Sequence, residues 1–414
     1  MNKNKSKVKI IGLILVVVVG AGLALYQIPS IKERINWRVD IAQTFLRGVV
    51  HPVQPLPTAQ PQFNEATLIP TATRVVATLT PKVAATPLPT PTSTPLPERI
   101  ELAAPPHEVQ GINNCGPATL SMYLNYYGWG QDQQAVADVL KPLPEDRNVN
   151  VEELDYFVKN YAGWLNTIYR VGGSTDLLKK LIAGGIPVMI EESSKVEPKY
   201  AWYEDDLWAG HYLLVTGYDD STRQFIAQDS FLGANQRVAY AELDRNWQAF
   251  NRVFILIYLP EQEPVIQQIL GDDWDADINR QNALQIAQAE TESDPQNVFT
   301  WFNLGSNLVY FERYDEAAQA YDHARTIGWP QRMLRYQFGP FLAYFHSLRT
   351  EDLMAMVDYA LERTPNSEEA LLWQGWGLYR EGKKAAALES FQKALEFHKG
   401  YSDALYALDY VTNN

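Results

Sequence analysis

The first hydrophobic pattern along the chain is a continuous one. Residues 10–28, IIGLILVVVVGAGLALYQI, carry no charge, and about 19 residues at 1.5 Å each reach roughly 28 Å, near the thickness of a bilayer's hydrocarbon core. A basic segment over residues 1–9 precedes the run and contains four lysines. Together they predict a transmembrane signal-anchor helix with its basic end in the cytoplasm, although Lys32, Arg34 and Arg38 beyond it reduce the charge asymmetry. A cleaved signal peptide is the alternative, because Gly22 and Ala24 are small residues at the spacing a signal peptidase reads. Over residues 29–98 periodicity fades into a juxtamembrane stretch and then a segment dense in Pro and Thr. Proline removes backbone donors and favours the polyproline II conformation, so this part predicts a disordered, semi-stiff linker.

Residues 99–262 alternate between two periods. LSMYLNYY places Leu120, Leu124 and Tyr127 on one helical face, within a helix that begins near Cys115 and stops at Gly128. Asp132 is suited to cap a second helix reaching about Leu140. Asn150 with Glu153 three residues on has the form of a capping box for a third, and Ser174 or Thr175 caps a fourth that Gly184 and Gly185 end. IPVMIEE, HYLLVTGYD, RQFIAQDS and RVFILIYLP then read as strands bounded by turn residues. Helices first and strands second is the order of an α+β domain with segregated layers.

After Pro264 the pattern is helical to the C-terminus, and residues 270–412 contain an internal repeat. Gly305, Ala317, Tyr321 and Ala324 recur as Gly375, Ala387, Phe391 and Ala394 at identical spacings. Their offset is about twice the 34-residue period of tetratricopeptide (TPR) repeats, and Gly339, Val357, Ala360 and Pro365 supply a degenerate copy between them. The region therefore resembles a short all-α TPR array. Such a resemblance implies a surface that recruits a protein partner.

Composition narrows the function classes. With 46% hydrophobic and 12% aromatic residues the chain can fill two cores. A net charge of −14 argues against nucleic acid as a partner, since phosphate neutralisation rewards a basic face. A single cysteine, Cys115, excludes an intramolecular disulfide framework and any zinc site of the CxxC type. Asp272, Asp273, Asp275 and Asp277 lack the glycine and terminal glutamate spacing of an EF-hand loop, so the GDDWDADIN stretch reads as a hinge or helix start. No metal and no other cofactor is expected.

The chemistry gathers around Cys115. A thiol in the first turn of a helix faces unsatisfied N–H groups and the positive end of the macrodipole, which favour the thiolate. A cysteine nucleophile also needs a base, a group to orient that base, and donors for an oxyanion. His211 opens the strand GHYLLVTGYDD, and Asp229 ends the next, RQFIAQDS, where neighbouring strands would bring the two together. Gln110, five residues before Cys115, can offer a side-chain N–H beside the backbone N–H of Cys115. Asp219 and Asp220 are assigned to the hairpin turn, and His107 to the lead-in before the helix. Residues 191–210, acidic and aromatic, read either as a lid over the cleft or as a solvated loop with two packed tryptophans.

Taken in order, Q-x4-CGPA-x-L-x-M, GHYLLVTGYDD and QDS resemble the peptidase C39-like group of papain-like cysteine peptidases. The resemblance spans about residues 104–260, and WQAFNRVFILIY near its end is similar to the closing strand of the exported branch. It implies that Cys115 is the nucleophile, His211 the general base, Asp229 its orienting residue and Gln110 the oxyanion donor, acting on a peptide or isopeptide bond of a protein or peptide substrate. The transporter-fused members of the group cut double-glycine leaders in the cytoplasm; this chain has no Walker A motif, and its expected topology puts the catalytic and repeat domains outside the cell membrane. Two other classes stay open: an inactive peptide-binding scaffold, and a thiol acyltransferase or amidase acting on cell-wall peptides.

Overall fold

In the computed structural model the described residues are 55–60, 95–141 and 148–414, with scattered positions between 20 and 50. Most of the expected transmembrane segment, and residues 61–94 of the linker, lie outside them. Among the described residues no helix is long and apolar enough to cross a membrane.

The first globular part is built on one antiparallel sheet. Its strands are β1 (Arg99–Glu101), β2 (Asn166–Arg170), β3 (Val188–Lys195), β4 (Trp208–Asp219), β5 (Gln224–Asp229), β6 (Gly233–Ala239) and β7 (Phe254–Tyr258). They run in the order β2-β7-β3-β4-β5-β6, with β1 paired to the far end of β4. Three helices, α1 (Cys115–Tyr126), α2 (Gln133–Leu140) and α3 (Val151–Tyr161), share one core with Met189, Tyr212, Leu214 and Ile255. The alternate strand positions, Val188, Ile190, Leu213 and Val215, meet α4 (Thr175–Ala183), α5 (Tyr240–Gln248) and α6 (Glu263–Leu270) on the opposite face. Both faces of β3 and β4 are thus covered, which is why these strands read as nearly continuous apolar runs.

This differs from the expected segregation of layers, because β2 is interleaved among the helices. NTIYR is short and only partly buried, and its partner β7 lies almost 90 residues downstream. The remaining two unanticipated strands are β1, only three residues long, and the polar edge strand β6. The helix signals fare better. Asp132 accepts from the N–H groups of Gln134 and Ala135, Glu153 accepts from Asn150 N–H at 2.7 Å, and Ser174 accepts from Leu177 N–H at 3.2 Å. Asp275, in the acidic stretch, caps α7 (Ala276–Ser293).

The second part stacks helical hairpins: α8 (Val298–Tyr310) with α9 (Tyr314–Ile327), α10 (Gly339–His346) with α11 (Thr350–Arg363), and α12 (Glu368–Arg380) with α13 (Lys384–Phe397), closed by α14 (Ser402–Asn413). The repeated glycines have one packing role. A Cβ on Gly305 would come within 2.7 Å of the Tyr321 ring, and one on Gly375 would collide with the Phe391 ring, so each hairpin closes by seating an aromatic ring on a bare backbone.

The two parts share a dense interface. Trp208, at the start of β4, stacks on Phe250 at 5.7 Å and meets Tyr336 edge-on at 5.7 Å. Buried Asn279 of α7 exchanges two hydrogen bonds with the backbone of Val171, continuing the strand-like bonding beyond β2.

Candidate active site

Cys115 is the first residue of α1, and Asn114 before it makes no side-chain cap. The Cys115 N–H belongs to the first turn and so has no intrahelical acceptor. The loop leading in is held by two side chains. Glu108 accepts from Ser121 Oγ at 2.6 Å and from Gln133 N–H, while Gln133 Oε1 accepts from Gly111 N–H and Asn114 Nδ2. Thr119 Oγ1 donates to the Tyr212 carbonyl at 3.2 Å, and Ile257 N–H donates to Tyr123 Oη at 3.0 Å. These bonds fix the helix against the strands that carry the other site residues.

His211 is the fourth residue of β4 rather than its first, and it is 8% exposed. Leu214 lies opposite Gln228 in the β4–β5 register, so Asp229 falls on the face of β4 that Leu213 and His211 share. The His211 Nε2 lies 2.9 Å from Asp229 Oδ1, and the imidazole shares its cleft with the Cys115 thiol, near enough for each to shift the other's titration. With Nε2 facing the carboxylate, Nδ1 is left for the thiol. Asp229 Oδ1 is fixed in turn by the N–H groups of Phe231 and Leu232 at 2.7 and 3.0 Å.

Gln110 lines the same cleft as Cys115, His211 and Asp229. Its Oε1 accepts from Ser230 Oγ at 2.9 Å and its backbone N–H donates to the Ser230 carbonyl. The amide's acceptor end is therefore fixed, and its NH2 end is the part left to face another group.

The electrostatics couple these groups. Burial alone would raise the Cys115 thiol; the His211 hydrogen bond and charge, the Lys141 ammonium and the Tyr212 backbone outweigh it and hold the thiol below its ordinary value. Burial alone would lower His211, but its bonds to Asp229 and Cys115 hold it well above the usual histidine value. Asp229 is held below the ordinary carboxylate range despite its burial, chiefly by His211. The arrangement favours a thiolate beside an imidazolium.

Four neighbours escaped the sequence reading. Lys141 is buried and donates to the Asn113 carbonyl at 2.7 Å, a contact across 28 residues that local pattern does not reveal. His107 Nε2 donates to the Asp229 carbonyl at 2.8 Å. Glu191 and Glu192 are each 6% exposed and lie across from Tyr212 and His211; two charges inside the apolar run IPVMIEE were the available signal. Burial pushes Glu192 up to about 8.

The cleft has a volume of about 1080 Å³, and Arg332, Arg335 and Tyr336 of the helical part form one of its walls. The loop 196–207, central to the lid-or-loop segment, is strapped to that wall. Arg332 Nη1 donates to Asp205 Oδ1 at 2.6 Å, its guanidinium lies 3.8 Å from the centre of the Trp202 ring, and Trp202 Nε1 donates to Gln331 Oε1 at 2.9 Å.

No curated protein matches the chain. Among solved structures, a Bacillus anthracis protein described as a C39-like peptidase is 17% identical over 39% of this chain and 98% of that one, with a TM-score of 0.32. YrrB, a TPR protein with an unusual peptide-binding site, is 21% identical over 32% of this chain and 68% of its own, with a TM-score of 0.29. A double glycine motif protease from an AMS/PCAT transporter, solved with its leader peptide, is 17% identical over 38% and 94%, with a TM-score of 0.28. The model of the Peptidase_C39 like family matches residues 101–255, so the segment holding Gln110, Cys115, His211 and Asp229 is a C39-like domain.

Proposed function

We propose that the chain is a membrane-anchored thiol peptidase that cleaves a peptide or isopeptide bond, with its TPR-like repeats positioning a protein substrate or partner. The observation that carries the reading is His211, hydrogen-bonded to the Asp229 carboxylate and lining one cleft with Cys115. In the proposed reaction His211 holds the thiol proton, and the Cys115 sulfur attacks the carbonyl carbon of the scissile bond. The carbonyl oxygen becomes an oxyanion facing the Cys115 N–H and the Gln110 amide. His211 then gives the proton to the leaving amine, the C–N bond breaks, and a thioester remains on Cys115. Water, deprotonated by His211, attacks the thioester and restores the thiol and the free carboxylate product. Asp229 keeps the imidazole oriented and offsets its charge throughout.

Membrane attachment rests on the apolar run 10–28 and its preceding lysines, a pattern that supports an orientation with the catalytic and repeat domains outside the cell. The role given to the repeats is supported by the cleft wall they supply. Iodoacetamide labelling of the intact chain tests the chemistry: Cys115 should alkylate well below pH 8, and His211→Ala should slow it at least tenfold at pH 6. A Cys115 with the pH profile of a free thiol would sink the proposal. The substrate should emerge from comparing exported proteins in cells carrying Cys115 or Cys115→Ala.

A further inference from the structure

The composition of residues 29–98 predicts a disordered linker, yet one piece of it is seated on the helical array. Residues 55–60, PLPTAQ, lie across α9 and α11. The Pro57 carbonyl accepts from Arg325 Nε at 3.0 Å and from Nη2 at 2.7 Å. Arg325 is 5% exposed, and its remaining nitrogen donates to Asp352 Oδ1 at 2.8 Å and Tyr344 Oη at 3.1 Å. Three residues on, Gln60 N–H donates to Asp352 Oδ1 at 3.2 Å. Just before these polar anchors Leu56 packs on the array's core, while Pro55 and Pro57 line a groove with Tyr359, Leu361 and Gln374.

This has the construction of a peptide site. An extended strand offers its carbonyls and N–H groups outward because it makes no internal hydrogen bonds, and proline lowers the entropy lost on holding it straight. The groove answers with a buried guanidinium for a carbonyl, a buried carboxylate for an N–H, and an apolar seat for leucine. Removing the segment would take from Arg325 Nε and Nη2 the acceptor they now share, and a hydrogen bond to a charged group is worth more than one between neutral groups.

We propose that the face formed by Arg325 of α9, by α11 and by Gln374 of α12 is a binding site for an extended Pro-Leu-Pro-Thr segment, and that residues 55–58 occupy it in cis as a clasp that shortens the tether. The same four residues recur at 87–90, but the copy seated on the array is 55–58. With the clasp closed, the array sits beside residue 55, and the residues after 60 add nothing to its distance from the attachment. Opening it adds some 40 residues of tether, on the order of 120 Å if extended as polyproline II. The groove thereby sets how far from its attachment the cleft can work, and a Pro-Leu-Pro-Thr segment from another chain could open it.

Photo-crosslinking in the full chain tests this. Asp358 is exposed and lines the groove, so Asp358→p-benzoylphenylalanine leaves the core intact. Irradiation should join it to residues 55–60 within one chain, at monomer mass. Leu56→Ala, a change in the tether and not in the fold, should cut that yield at least fivefold, and millimolar free PLPTAQ peptide should do the same. No product with residues 55–60, a product insensitive to Leu56→Ala, or one found only between two chains would overturn the proposal.

Discussion

At the scale of single residues, the site couples charges whose preferred states are set by one another. The thiol is held down against its burial by His211 and Lys141, and the imidazole is held up against its burial by Asp229 and Cys115, so the ion pair should persist over a broad window. The predicted kcat/KM profile rises on an acid limb below the ordinary thiol range, as Cys115 loses its proton. It falls on an alkaline limb above the ordinary histidine range, as the imidazolium loses its own; both limbs belong to the pair and not to either residue alone. An acid limb near pH 8 to 9 would contradict the coupling. Glu192 titrates the other way. Its carboxyl is pushed up to about 8, first by burial and then by Asp229 and Glu242, against the opposing pull of His211. A raised carboxyl binds its proton more tightly in the folded chain than in the unfolded one, so it withdraws stability as pH rises from about 4.5 and has withdrawn it fully above 8. Glu192→Gln mimics the protonated form. Its melting temperature should match the parent at pH 4 and exceed it at pH 8, where the gain is on the order of a few kcal/mol; an equal difference at both pH values would show that Glu192 does not titrate in the fold.

At the scale of elements, what can be read from the sequence depends on the range of the interaction. Asp132, Asn150 and Ser174 mark helix starts because a cap bonds within two or three residues of itself. Cys115 falls at a helix start as its neighbours suggest, and His211 and Asp229 lie on adjoining strands. Lys141 and His107 were hidden, since each acts on the site through a backbone carbonyl far away in the chain. Strand β2 was hidden for the same reason. The repeated glycines show the legible case at its sharpest, because one spacing recurs as one contact. Gly375→Ala would drive a methyl group into the Phe391 ring and should cost about 1–3 kcal/mol by overpacking. Phe391→Leu in the same chain frees space and should recover part of that loss. Urea unfolding followed by circular dichroism reads both, and a Gly375→Ala chain as stable as its parent would show that the hairpin does not close on that ring.

At the scale of the whole molecule, the cleft belongs to both parts of the chain, and the strap 196–207 is where they meet. Arg332 and Asp205 are each almost wholly buried there, with side chains 4% and 1% exposed. Arg332 also donates to the Trp208 carbonyl at 2.9 Å, three residues before His211. Arg332→Ala therefore removes the cation that offsets a buried carboxylate, a change that costs about 3–5 kcal/mol when the charge is left with no other partner. Asp205 keeps bonds from the N–H groups of Leu207 and Trp202, so the low end, about 3 kcal/mol, is expected here. The loss should be local. Strap opening is a sub-global event, and limited proteolysis within residues 196–207 should accelerate by about two orders of magnitude while the distant α12–α13 hairpin stays resistant. Asp205→Asn added to Arg332→Ala removes the stranded charge and should return part of the protection, a sign of coupling that a merely steric role for Arg332 does not produce. The proposed peptidase activity should follow the strap, with KM rising more than kcat falls, since one wall of the cleft moves while Cys115, His211 and Asp229 keep their places. If the double substitution is cut faster than the single one, the ion pair is not what holds the two parts together at the site.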